Sequence, residues 1–247
     1  MKIAMMQPAF FPWQGLFELI KKSDKFIFLD DFQFVVQSHH TRNKLFVNKD
    51  QVDYYGVPIQ KSKCFGLKLN ETLIVEDNFW KKKTLKRLSN VYQKTSFFNE
   101  IYPQIENWLN QDYASLAHLN IEGIKLFCKM MNIQTPFLYS SDFPSEAKRT
   151  EKVIALLKWA KADMYLSAYG SFDYMLEDNY DYKSYPVLFQ NYQPRPYKQF
   201  HSSEFVPYLS VLDALFNIGP AETVRLIDNG TQEWLSFEDM IKRHGEN

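Results

Sequence analysis

The run SHHTRNK sets His39, His40, Arg42 and Asn43 side by side. A guanidinium fork matches the paired oxygens of a phosphate or carboxylate, and Asn43 adds amide donors next to it. An imidazole titrates near neutrality, so His40 is a candidate general base. Adjacent side chains usually point different ways, and exposed loop polarity is the competing reading for the histidines. Arg42 and Asn43 are read as oxyanion-binding. Just upstream, Asp30 and Asp31 close an apolar run. A carboxylate here can orient an amine or a magnesium ion, and Asp31 joins Arg42 and His40 as a candidate catalytic residue. Two acids and two histidines without a recognised ligand spacing do not predict a metal site built from protein ligands.

The opening corner, MQPAFFPWQG, supplies candidate binding residues Gln7, Pro8, Trp13 and Gly15. A helix starting near Trp13 would aim free backbone N–H groups at the strand end and favour an anion there. Gly15 permits close approach, and Pro8 and Pro12 stiffen the turn. A rigid structural corner is the competing reading. Glycine-rich dinucleotide and P-loop signatures are absent. The loop YLSAYGSFDY offers Ser167, Tyr169 and neighbouring backbone amides. No GxSxG elbow surrounds Ser167, so it is read as binding and not as a nucleophile. In YQPRPYKQF, Tyr197 and Gln199, with Tyr192 and Arg195, suit a sugar or base platform, or else an ordinary packed surface strand. Asp213, among Leu and Phe, must be paired; Arg42, Arg195 or a backbone corner are the expected partners. WKKKTLKRL reads as a solvated basic face.

These groups need elements to hold them. The apolar runs IAMM, KFIFL, FLYS, MYLS and PVLF do not alternate, as expected of parallel strands covered on both faces. Helical spacing lies between them, in QGLFELIKKS, EKVIALLKWAKA, YLSVLDALFNIG and AETVRLIDNG, the last two each closed by glycine. LFV and YYGVPI predict an antiparallel or edge excursion, and residues 78–132 a mainly helical one. The expected fold is a single α/β domain over residues 1–247, with a mostly parallel sheet and helices on both faces, nucleotidylyltransferase- or Rossmann-like. In such folds ligands bind beyond the carboxyl ends of the strands, where Gln7, Asp30, Asp31, Ser141, Asp142, Ser167 and Gln190 all fall.

Lys plus Arg and Asp plus Glu both total 29 in this chain of 247 residues. That balance removes the bulk electrostatic footprint of a nucleic-acid binder. Two cysteines, Cys64 and Cys128, fit a reduced, cytoplasmic chain, and no apolar run approaches a membrane span.

The stretches MQPAFFPWQGLFELIKKSDKFIFLDDFQF, TRNK, WKKKTLKRLSNVYQKTSFF, KRTEKVIALLKWAKADMYLSAYGSFDYM and YKQFHSSEFVPYLSVLDALFNIG together resemble the WbqC-like proteins. Departures lie at Ala168–Ser171, where a more glycine-rich run is expected, and at the histidine pair. The resemblance implies a cytoplasmic step in O-antigen and surface-polysaccharide assembly: attachment of an amino acid, glycine in the first instance, to the amino group of a dTDP-linked dideoxyamino sugar. Activation of the amino acid by ATP with Mg2+ is one implied route. Arrival already activated, on a tRNA for example, is the other. A nucleotidyl- or glycosyltransferase and a non-catalytic assembly factor stay open as alternatives.

Overall fold

The computed structural model describes residues 1–36, 38–60 and 66–245. Cys64 lies outside them, and Cys128 is a buried free thiol. The chain opens with β1 (Lys2–Met6), α1 (Gln14–Lys22) and β2 (Lys25–Phe28), then the hairpin β3 (Arg42–Asn48) and β4 (Gln51–Gly56). Three helices follow, α2 (Phe79–Tyr92), α3 (Phe98–Leu109) and α4 (Leu116–Met130). The chain then returns through β5 (Phe137–Tyr139), α5 (Arg149–Trp159), β6 (Met164–Ala168), α6 (Phe172–Glu177) and β7 (Val187–Tyr192), and closes with α7 (Val211–Asp228), β8 (Thr231–Ser236) and α8 (Phe237–Gly245).

The main sheet runs β5-β2-β1-β6-β7-β8. Its first five members are parallel, and β8 pairs antiparallel to β7. Numbered by their order along the chain, these strands lie 3-2-1-4-5-6, the doubly wound arrangement whose direction reverses between β1 and β6. Alternate residues serve two cores. Ala4, Phe26 and Phe28 pack with α1, α2, α3, α4 and α7 on one face. Ile3, Met5, Ile27 and Leu29 pack with α5, α6 and α8 on the other. Burial on both faces is why these strands read as unbroken apolar runs.

The predicted excursion is a separate two-stranded antiparallel sheet of β3 and β4. The tail helices are one element broken at Gly219, whose φ of 77° is a left-handed geometry suited to glycine. Gly230 does not close the second part: the capping residue is Asn229, and the space at Gly230 is filled by the Tyr192 ring. The strand β8 and helix α8 were not foreseen, while α6 stands where a helix is expected after the Ala168–Gly170 turn. Fully buried Glu18 of α1 accepts from Gln190 Nε2 at 2.6 Å, the Thr231 amide at 2.9 Å and the Thr231 hydroxyl, tying α1 to β7 and β8. Among the described residues no helix is long and apolar enough to cross a membrane.

Candidate functional site

At the carboxyl ends of β1 and β2, beside β6, the sheet opens onto a cavity of about 710 Å³. It sits at the strand-order reversal, where adjacent loops diverge to opposite faces and leave a crevice. Gln7 enters from β1, Asp31 from β2 and Tyr165 from β6, while Lys148, Arg149 and Lys152 come from the start of α5. Lys68 and Glu146 complete the charged lining. Of these four cations Lys152 is paired with Asp31 and Arg149 with Glu177 and Asp178, which leaves Lys68 and Lys148 to meet an anionic ligand; Phe32, Tyr165 and Tyr174 add ring surface. A smaller lobe of about 370 Å³ shares Asp31, Lys68, Ser145 and Glu146 and extends to Asn70, Glu71 and Ser141.

Asp31 is the most tightly held of these groups. Its Oδ2 meets Lys152 Nζ at 2.5 Å, and both side chains are only 8% exposed. Its Oδ1 accepts from Ser140 Oγ at 2.5 Å. Burial pulls the Asp31 pKa upward, but the Lys152 and Ser140 hydrogen bonds and the Lys152 charge outweigh it, and the carboxyl sits below its ordinary value. Lys152 also lies over the Phe32 ring at 4.9 Å, so its position is fixed by packing as well as charge.

Arg149, at the cavity rim, has φ of 49°. Left-handed backbone costs a non-glycine residue roughly 1–2 kcal/mol. It is held there by Arg149 ion pairs to Glu177 at 2.8 Å and Asp178 at 3.0 Å, and by Thr150 Oγ1 donating to Asp178 at 2.7 Å. Strain of this kind concentrates where a structure shapes a site.

Of the residues predicted from sequence, the cavity brings together Gln7 and Asp31. His40 stands behind Gln7, with its Nε2 2.9 Å from Gln7 Oε1. It is 6% exposed, and burial, with the His39 charge, pushes its pKa down to about 4. His40 is thus not a base poised near neutrality, and its expected catalytic role is corrected. Asp30 points away into a turn clamp, accepting from the Ser141 amide at 3.0 Å and Ser141 Oγ at 2.7 Å. Arg42 stacks on Tyr54 at 4.4 Å, on the hairpin, and is not part of the cavity wall. Asn43 is buried and caps the Lys44 amide.

The corner also proves structural. An added Cβ at Gly15 would lie 2.4 Å from the Trp13 ring, so the glycine makes room for that ring and not for a ligand. Trp13 in turn packs edge-on against Tyr192 and beside Tyr208. Pro8 is buried, and its carbonyl accepts from Asn120. Gln190 likewise serves Gly15 O and Glu18. Ser167 is fully buried, and Tyr169 is exposed in a short turn outside the cavity wall. Tyr197 and Gln199 hold Asp213: Tyr197 Oη donates at 2.7 Å, Gln199 Nε2 at 3.0 Å and Tyr92 Oη at 2.8 Å. The partners of Asp213 are therefore neutral groups and not Arg42 or Arg195.

Lys68, Lys148, Lys152 and Tyr174 escaped notice as site residues because lysines on loops and helices usually face water. One signal was present: Lys152 lies four residues before the buried Leu156, on the inward face of its helix.

The WbqC-like protein family model matches residues 7–225. "Uncharacterized protein Rv1507c" of Mycobacterium tuberculosis is 31% identical over 220 residues, 88% of this chain and 94% of that protein. No solved structure matches the chain. The matched span begins at Gln7, just past β1, and takes in β2, β6, α5 and every residue lining the cavity except Met6, and the chain belongs to the WbqC-like protein family.

Proposed function

We propose that this protein is a transferase that joins an amino acid, glycine in the first instance, to the amino group of a dTDP-linked dideoxyamino sugar in O-antigen assembly. The observation that carries the reading is the two-lobed, cation-rich cavity at the sheet's reversal, with one clamped carboxylate where the lobes meet. Its larger lobe falls within the roughly 300–1,000 Å³ of small-molecule sites. In this reading Lys68, Lys148 and the amino end of α5 hold the diphosphate, and the rings of Phe32 and Tyr174 flank base or sugar. The smaller lobe takes the amino acid.

The sugar nitrogen attacks the activated carbonyl carbon, forming the C–N bond. The bond to the leaving group breaks with its electron pair, and the ammonium proton passes to water; Asp31, kept ionised by Lys152 and Ser140, orients the attacking amine. Lys152 steadies the oxyanion that forms on the carbonyl oxygen. ATP supplies the activation, giving an acyl-adenylate and pyrophosphate. Among the described residues no cluster of three metal-binding side chains converges. Magnesium would come in with the phosphates, as is common for this ion, and the lining carboxylate Glu146 would be its protein contact.

The test is incubation with a dTDP-linked dideoxyamino sugar, glycine and ATP with Mg2+, followed by mass spectrometry of the sugar nucleotide. A glycyl mass gain that disappears in Asp31→Asn is expected. A new sugar nucleotide without amide formation would point instead to a nucleotidyl- or glycosyltransferase. No change with any donor would remove the enzymatic reading.

A further inference from the structure

His40 is buried, yet among the described residues only one of its ring nitrogens has a partner: Nε2 faces Gln7 Oε1, and Nδ1 has none. The ring is held there by several backbone contacts. Asn120 of α4 donates through Nδ2 to both Pro8 O (3.2 Å) and His40 O (2.8 Å), and the Phe10 amide donates to His39 O at 3.0 Å. The loop bearing His40 is thus fastened to the corner that follows Gln7.

Two proton arrangements are open to this pair. In one, Nε2–H donates to Gln7 Oε1 and Nδ1 is a bare lone pair. In the other, the Gln7 amide is turned, its N–H donates to Nε2, and Nδ1 carries a buried hydrogen with no acceptor. Unpaired buried N–H donors are rarer than under-used acceptors, and leaving one costs roughly 1–3 kcal/mol. The first arrangement is therefore the stable one. It leaves the Gln7 amide nitrogen, on a cavity-lining residue, without a hydrogen-bond partner among the described residues.

We propose that His40 is a positioning residue that fixes the Gln7 carboxamide with its N–H2 toward the cavity, so that the carboxyl end of β1 binds an anionic phosphate oxygen of the ligand. This deepens the proposed function, on which its choice of a nucleotide diphosphate rests. The polarity itself rests only on the His40–Gln7 pair.

The first measurement is the tautomer, read from long-range proton–nitrogen NMR spectra of the labelled full chain, with His40→Gln identifying the His40 signals. An Nε2–H ring is expected, and an Nδ1–H ring would overturn the assignment. The second is calorimetric binding of dTDP and, separately, inorganic pyrophosphate. Gln7→Glu, which places an acceptor where the donor stood, should lose about tenfold or more in affinity, the scale of a hydrogen bond to a charged group. Gln7→Ala should lose less. His40→Leu should weaken binding, and His40→Gln, whose amide can donate where Nε2 stood, should restore it. Equal or tighter binding by Gln7→Glu overturns the proposal even when the wild type binds dTDP. Pyrophosphate binding that needs Gln7, with no dTDP binding, upholds the proposal while removing the sugar-nucleotide reading. Binding of neither probe overturns the anion subsite.

Discussion

Substituting Lys152→Met leaves the Asp31 carboxylate buried with its principal counter-charge gone. Both partners are 8% exposed and 2.5 Å apart, so solvent cannot replace the lost ammonium as it does at a surface pair. Breaking a buried ion pair from one side costs about 3–5 kcal/mol. Ser140 keeps its hydrogen bond to Asp31, which places the expected loss near the lower figure, about 3 kcal/mol. The pH dependence carries the sharper signature. In the wild type the Asp31 pKa is lowered, so its contribution is present above the unfolded value and is lost as pH falls through the folded one. Without Lys152, burial dominates and the folded pKa rises above the unfolded value; the variant then loses stability as pH increases past that range. Urea unfolding at about pH 4.5 and 7.5 should therefore show a larger deficit at the higher pH. The double variant Lys152→Met/Asp31→Asn should recover most of it, since the neutral amide has no charge to strand. A deficit under about 0.5 kcal/mol, typical of an exposed pair, or one independent of pH, would refute the claim that the cavity is organised around this contact.

His40 makes a second pH prediction. Its pKa is pushed from 6.5 to about 4 by burial and the His39 charge, so the unfolded chain takes up a proton between those values that the folded chain does not. Stability should fall by up to about 3 kcal/mol as pH drops from 6.5 toward 4, and less in His40→Gln, measured by unfolding across that window. Gly15→Ala should displace the Trp13 ring from Tyr192 and Tyr208, cost about 1–3 kcal/mol and shift tryptophan fluorescence. Tyr197→Phe removes one of three hydrogen bonds to Asp213 and should cost about 1–2 kcal/mol in thermal unfolding while leaving turnover intact. Arg42→Ala should likewise keep turnover within a few fold, because it trims a ring contact on the hairpin and not the cavity wall.

The five parallel strands were legible because each packs apolar side chains on both faces, the edge strand β5 only half-buried, and so spells an apolar run. The strand β8 was not: it lies at the sheet's edge, and in TQEWLS only Leu235 is fully covered. The mainly helical region read over 78–132 divides into α2, α3 and α4, the first break falling at Thr95, whose hydroxyl turns back to the Tyr92 carbonyl. At the site, Gln7 and Asp31 were legible from their place at strand ends. The same rule wrongly recruited Gln190 and Asp30, which occupy such ends yet satisfy buried neighbours. Position along a strand says where a side chain starts, and only the packing says which way it turns. The predicted platform at Tyr197 and Gln199 failed for a related reason: the need of Asp213 for donors drew both inward.

Glu18 meets Thr231 across 213 positions of sequence. On the ribosome that carboxylate emerges long before the strand whose amide and hydroxyl will receive it. Until Thr231 is made, this face of the sheet has to stay open enough for water to solvate Glu18, and a product cut short before Thr231 would keep it so. The strand β8 thus acts as a latch on the first helix, and its arrival, more than formation of the early βαβ unit, sets when this face becomes dry.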